Sequence, residues 1–348
     1  MGVRDVIGEL DVPAGIELSV LDVGHGSCVF ISTSGATALV DTGPNGAVLE
    51  FLRERELTYV DVVLISHADQ DHIGGLSALL SNGIRIGRVI WNSDGMKRTE
   101  AWMSLAYQLD DLAESGLTIA DEEAAKGMPI PELGPRVSIE VHAPRLRLRR
   151  LGVGGRDRSG SHISSNSMSV VVRVLVDDEP LIVIPGDLDS VGLSHLVDSA
   201  TMDLSARYLV LPHHGGLMGT PAATPAAVEQ LVQAVGPRMV FISNGRGARW
   251  DNPRDDVLLA VSRANPDLPV ACSELSKSCS AMPQARGTQS RIYSAGWNSG
   301  AACAGTIQLT LRNGIGQDLD RSEHARFVAG LPTPRCVSAH VRGPASEQ

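Results

Sequence analysis

The chain has 348 residues, a formal charge of −10 at pH 7 and five cysteines, with 43% hydrophobic but only 3% aromatic residues. That length and apolar fraction allow a sizeable buried core, the negative balance excludes a surface that coats nucleic acid everywhere, and an odd number of scattered cysteines argues against a disulfide framework. The N-terminus lacks a basic start followed by an apolar core and no apolar run reaches bilayer length, so a soluble, cytoplasmic protein with no membrane segment is expected. Abundant glycine, with Val, Leu and Ile runs between Gly- and Pro-marked turns, predicts an α/β enzyme over a helical bundle.

Ile16 to Val23 alternates and runs into Gly24-His25-Gly26, and Cys28 to Ile31 and Thr37 to Val40 continue as strands. Asp41 closes the last of these ahead of Gly43, where its carboxylate can accept backbone N–H bonds and hold a neighbouring turn in shape; a plain Asx-turn is the simpler reading. Val48, Leu49 and Leu52 mark a short amphipathic helix, and Val60 to Ile65 reads as a buried strand.

The next ten residues, S-H-A-D-Q-D-H-I-G-G from Ser66, set His67, Asp69, Asp71 and His72 on a strand-to-helix turn, with the helix opening at Gly74-Gly75. Two imidazoles and two carboxylates converging on one turn carry a desolvation and like-charge penalty that divalent cations remove, so the stretch predicts a metal centre.

Arg88 to Trp91 is a further strand, and Thr99 to Gly116 has helical spacing with Thr99 as N-cap. Val137 to Val141 resumes the sheet. The segment from 145 to 165 then places Arg145, Arg147, Arg149, Arg156 and Arg158 among glycines and serines. These are either phosphate-binding forks or a solvated loop. Val170 to Val176 and Leu181 to Ile184 are neighbouring strands, and Asp187, after Pro185-Gly186, sits at a strand end where a carboxylate can bridge two metal ions. Tyr208 to Leu211 ends in Pro212-His213-His214-Gly215-Gly216; one of the two histidines is expected to be a metal ligand and the other a supporting residue or general acid.

A helix from Thr224-Pro225 to Gly236-Pro237, a strand from Met239 to Ser243 and a second helix from Asn252-Pro253 follow, before last strands at Val270 to Cys272 and Thr306 to Leu311. Ser243 and Asn244 form a turn that either offers N–H groups to a phosphate or is only a turn. Cys272, Cys279, Cys303 and Cys336 are either a second, structural zinc site or buried reduced thiols. Beyond about Gly316 the chain is polar and aperiodic, so residues 1–316 are read as the domain and 317–348 as a loosely held tail.

Taken together, L-D-V-G-H-G from Leu21, L-V-D-T-G from Leu39, S-H-A-D-Q-D-H-I-G-G from Ser66, N-S-M-S-V-V from Asn166, P-G-D-L from Pro185 and L-P-H-H-G from Leu211 resemble the metallo-β-lactamase-fold hydrolase superfamily, most closely the hydrolase domain of bacterial competence (DNA-uptake) channel proteins and their stand-alone relatives. The resemblance covers Ile16 to Leu311. It implies a four-layered αββα sandwich and a dinuclear centre in which His67 and Asp69 belong to one metal site, Asp71 and His72 to the other, Asp187 bridges, and His213 or His214 completes the set. Where the superfamily has its second motif histidine this chain has Asp69, and where a third-motif histidine is usual it has Asn166 and Ser167, taken as supporting residues.

A carboxylate in place of an imidazole makes the site harder, favouring manganese or magnesium without excluding zinc. The expected activity is a metal-dependent phosphodiesterase or nuclease acting on nucleic acid or a nucleotide. In it Asp71 orients an activated hydroxide, the non-ligating histidine, taken as His214 with His213 the ligand, protonates the leaving group, and the arginines hold flanking phosphates. The competing readings are hydrolysis of an acyl substrate such as a lactone, thioester or β-lactam, and a metal-binding module without activity.

Overall fold

Six short strands open the fold: β1 (Glu17–Val20), β2 (Val29–Ser32), β3 (Thr37–Val40), β4 (Tyr59–Leu64), β5 (Arg85–Trp91) and β6 (Ile119–Glu123), lying side by side in that order in the computed structural model. The model describes residues 15–92, 97–198, 203–247, 249, 251–282, 292–309 and 321–336. β7 (Val137–Ala143), β8 (Val171–Val176), β9 (Glu179–Ile184), β10 (Tyr208–Val210), β11 (Met239–Ile242) and β12 (Val270–Cys272) make a second sheet. β13 (Ile307–Leu309) returns to the first and pairs antiparallel with β1, Val20 opposite Ile307.

The side-chain period of two sorts each strand between two environments. Val29, Ile31, Val40 and Leu64 of the first sheet meet Val172, Val174, Ile182, Ile184, Val210 and Phe241 of the second in one inner core. Their neighbours Phe30, Leu39 and Val63 face α1 (Ala47–Glu54), α2 (Gln70–Ser81) and α3 (Glu100–Glu114). Val171, Val183, Leu209 and Val240 are buried with residues of α5 (Ser190–Val197), α6 (Thr224–Val235) and α7 (Asp255–Ala264). α4 (Leu146–Leu151) lies between β7 and β8 in the chain. The result is the expected αββα sandwich. Strands buried on both faces explain why β8 and β9 read as mostly aliphatic runs, interrupted by Arg173 in β8 and by Glu179-Pro180 at the start of β9, and each such aliphatic side chain contributes about 1.5–3 kcal/mol on burial.

Helix ends follow the local chemistry. The Thr99 side chain accepts from Trp102 N at the start of α3, and Gly236 takes the left-handed conformation at the end of α6. The glycines in the metal turn behave differently from expectation: α2 begins at Gln70, so Gly74 and Gly75 lie inside it. A Cβ on Gly75 would stand 2.0 Å from the Thr42 carbonyl oxygen and one on Gly74 2.1 Å from that of Pro44. The two glycines let the helix close on the loop after β3, rather than mark its start.

Part of the region expected to be a loose tail is folded. α8 (Arg321–Ala329) buries Val328, and Leu331 follows it into the outer core of the second sheet, while Thr333 N donates to the Cys279 carbonyl.

Candidate metal centre

Strand ends of both sheets bring the predicted ligands together. Asp41, in the left-handed region at φ 59°, caps β3 and reaches under the turn after β4. It accepts from Ser66 N and Ser66 Oγ, both at 2.7 Å, and from His72 Nδ1 at 2.7 Å. That bond puts the His72 proton on Nδ1 and leaves Nε2 facing the centre. The Asx-turn reading of Asp41 therefore gives way to one in which this carboxylate orients a ligand.

Asp187 enters from the second sheet. Gly186 before it has φ 55°, and a Cβ there would meet Ser169 Oγ at 2.4 Å and Ser66 Cβ at 2.6 Å, so glycine lets the two strand ends touch. Ser169 Oγ accepts from Asp187 N. Asn166 and Ser167, expected near the ligands, instead serve Asp189: Ser167 Oγ donates to Asp189 Oδ2 at 2.7 Å, Asn166 O accepts from Asp189 N, and Asp189 caps α5.

His213 and His214 occupy consecutive left-handed positions, φ 53° and 56°, a strained geometry of the kind retained at functional sites. His214 Nδ1 donates to the Ser243 carbonyl at 2.8 Å and His213 Nδ1 to that of Leu217 at 2.7 Å, so both rings present Nε2 inward.

The two oxygens of Asp187 divide the centre. Oδ1 lies 3.1 Å from His72 Nε2 and 3.6 Å from His214 Nε2, and the latter is 3.2 Å from Asp71 Oδ2. Oδ2 lies 3.6 Å from His67 Nε2 and 3.7 Å from His213 Nε2, with Asp69 Oδ2 3.7 Å from His67. His67 Nε2, His72 Nε2, His214 Nε2 and Asp187 Oδ1 are all buried, and none is aligned for a hydrogen bond. Buried polar atoms are rarely left so. Three of them, His72 Nε2, His214 Nε2 and Asp187 Oδ1, close on one point as a cation would require, with His67 Nε2 on the Oδ2 side, and the donor set of imidazole nitrogens and carboxylate oxygens suits a divalent metal.

Among the described residues, Asp71, His72, Asp187 and His214 are the only His, Cys, Asp or Glu group that offers three or more ligand atoms within 4.8 Å of one another. His214 thus stands in the tight group, while His213, expected as the ligand, lies at its edge. Among the described residues the cysteines supply no group of three or more ligand atoms that close together, so a second metal site is not supported. Cys272, Cys279 and Cys303 are buried in the outer core of the second sheet, where burial pushes the Cys272 thiol well above its usual value.

Burial is the largest influence on His72 and His214 and disfavours their charge, yet the carboxylates around them, Asp187 with Asp41 for His72 and Asp187 with Asp71 for His214, together outweigh it and hold both above the ordinary histidine value. The same imidazoles hold Asp187 well below the carboxylate range despite its burial. His67, where burial dominates, is lowered to about 3.

Two residues not assigned from the sequence also reach the centre. His25, lowered to about 4 by burial and by His214, has its Nε2 3.8 Å from Asp71. Its only signal was its place between two glycines. Lys97 forms an ion pair with Asp69, and nothing in its sequence context marks it.

The expected phosphate contacts are placed elsewhere. Arg145 and Arg147 bond the end of α5 at Asp198, Arg149 pairs with Glu123, and Arg156 donates to the Gly160 carbonyl within its own loop; Arg158 is exposed. Ser243 and Asn244 are buried and bonded internally, Ser243 Oγ to the Gly26 carbonyl and Asn244 Nδ2 to those of Asn252 and Glu274. A cavity of about 880 Å³ opens just beyond them, lined among others by His25, Asn45, Arg246, Lys277 and Tyr293.

The family model of the metallo-beta-lactamase superfamily matches residues 21–232. The chain belongs to that superfamily. Within it, the chain is 22% identical over 268 residues to ComE operon protein 3 of Bacillus subtilis, covering 71% of this chain and 30% of that protein. It is 24% identical over 247 residues to competence protein ComA of Neisseria gonorrhoeae, covering 69% and 28%. The chain therefore spans less than a third of the length of these relatives. Among solved structures it is similar to the metallo-beta-lactamase fold protein YhfI of Bacillus subtilis, at 15% identity and a TM-score of 0.45 over 73% of this chain and 96% of that one. Superfamily membership and the Asp/His cluster together support a metal-dependent hydrolase. No helix among the described residues is long and apolar enough to cross a membrane.

Proposed function

We propose that the protein is a metal-dependent phosphodiesterase acting on nucleic acid or a nucleotide. The observation that carries this reading is the set of buried, unpartnered Nε2 and Oδ atoms around Asp187, joined by the carboxylates of Asp69 and Asp71. A centre with three carboxylates is hard and anionic, which suits manganese or magnesium as well as zinc and matches phosphate better than an apolar acyl group. The competence proteins among its relatives support the same substrate class.

Divalent cations bound there would lower the pKa of a water and polarise the scissile group. Asp71, partly exposed beside His214, orients the attacking oxygen. His214, held by Ser243, takes the ligand position. His213, 36% exposed at the edge of the centre, keeps its Nδ1 proton on the Leu217 carbonyl, and in its doubly protonated form it gives the Nε2 proton to the leaving oxygen, so the two histidines exchange the roles expected of them. Lys277, in the cavity beside His25, offers a cation to a flanking phosphate.

The test is a metal-titrated cleavage assay on single-stranded DNA, double-stranded DNA and RNA, with Asp71→Ala and His72→Ala as controls. Cleavage that requires added metal and vanishes in both variants is expected. Metal binding with no cleavage of any nucleic acid or small phosphodiester would remove this reading.

A further inference from the structure

The two sides of Asp187 are not equivalent. On the Oδ1 side, four ligand atoms from Asp71, His72, Asp187 and His214 fall within 4.8 Å of one another, and three of these residues are buried. The Oδ2 side offers His67, Asp69 and His213, and these do not close into such a group among the described residues. There the cation is already supplied by the chain: the Lys97 ammonium is paired with Asp69, one residue pair away from Asp187 through His67. The Lys97 side chain lines a cavity with Trp91 and Trp102, so its stem has an apolar wall while its head turns to the centre. Ser167 Oγ adds no ligand there, because it is bonded to Asp189.

We propose that the centre holds one divalent cation, among Asp71, His72, Asp187 and His214, and that the Lys97 ammonium on Asp69 takes the place of a second. Charge balance supports this. With neutral imidazoles, the carboxylates of Asp69, Asp71 and Asp187 carry three negative charges, which one divalent ion and one ammonium neutralise. A second divalent ion beside the ammonium would leave a net positive centre, in which like charges repel. In this arrangement Lys97 faces the developing negative charge of the substrate with a fixed point charge. That last step rests on the phosphodiesterase reading; the stoichiometry does not.

The test loads the full chain with Mn²⁺, removes loose metal by gel filtration, and reads metal content and the electron paramagnetic resonance spectrum. About one ion per chain with the signal of an isolated Mn²⁺ is expected. Lys97→Met should raise uptake toward two ions and add the spectrum of an exchange-coupled pair. His214→Ala should lose the ion and His67→Ala should keep it, with thermal melts confirming that each variant folds; Lys97→Met carries the test if a histidine variant does not fold. Two coupled ions in the unaltered protein, or a stoichiometry that Lys97→Met leaves unchanged, would overturn the proposal. A protein that binds one ion yet cleaves no phosphodiester would sink the proposed function and leave this inference standing.

Discussion

Two pairs of acidic side chains meet the loop that carries His25, and burial moves them in opposite directions. Asp71 and Asp187 face His72 and His214, and both stay below the ordinary carboxylate value although burial opposes it. Asp22 and Glu274 face a hydroxyl and backbone N–H groups, from Ser294, Gly296 and Arg246. Burial wins there, lifting Asp22 and raising Glu274 to about 7. A buried acidic pair is therefore not by itself a metal site. What makes one is the set of neutral donors aimed at the same point, with nothing else to bond.

The largest effect should come from the bridging position. Asp187→Ala removes the one side chain common to both halves, so metal content and cleavage should both fall by more than the roughly 10–100-fold that outer partners cost. Measured metal affinity near the unaltered value would break the comparison. Asp41→Asn should come next, weakening metal binding by about 10–100-fold, because it weakens the acceptor that fixes the His72 ring. A Mn²⁺ titration of each folded variant measures it.

A smaller effect concerns pH. His72 and His214 hold protons above the ordinary histidine value of 6.5 when no cation is bound, and a cation must displace them. Affinity should rise as pH climbs past that value, and calorimetry in two buffers should find proton release of about one to two per ion. For the metal-free protein the sign reverses. The stability that the raised His72 contributes is present below 6.5 and is lost as pH rises through its folded value. An affinity independent of pH would show that the imidazoles are already neutral.

Smallest in its effect on the metal centre is Glu274→Gln in the other acidic pair. Its folded value of about 7 against 4.5 for the free side chain means the native state binds more proton between them, so stability falls with rising pH across that window. The variant should flatten this fall, worth at most about 3 kcal/mol, with metal binding unchanged. Denaturant melts at pH 5 and pH 8 read it.

The sandwich was legible because its strands carry aliphatic runs with period-two sorting and its helices carry recognisable ends at Thr99 and Gly236. The ligand turn was legible because His67, Asp69, Asp71 and His72 are neighbours in the chain, and local clustering survives any fold. Arg145 to Arg158 misled for a physical reason: guanidinium forks fit carboxylates and carbonyls as well as phosphate, and Asp198, Glu123 and Gly160 were nearer. Gly74 and Gly75 read as the opening of the helix, and only the structure shows that it starts at Gln70 and that the 2.0–2.1 Å approach to the loop after β3 leaves them no room for a side chain.

By itself the sequence determined the α/β class, the metal turn, the two later strand-end motifs at Asp187 and His213-His214, and the superfamily they resemble. Tertiary structure decided which oxygen of Asp187 faces which imidazole, that His214 rather than His213 joins the tight group, that β13 closes the first sheet beside β1, and that His25 and Lys97 reach the centre at all. Those outcomes depend on where strand ends from two sheets meet, and a linear pattern carries spacing along the chain but not distance across it.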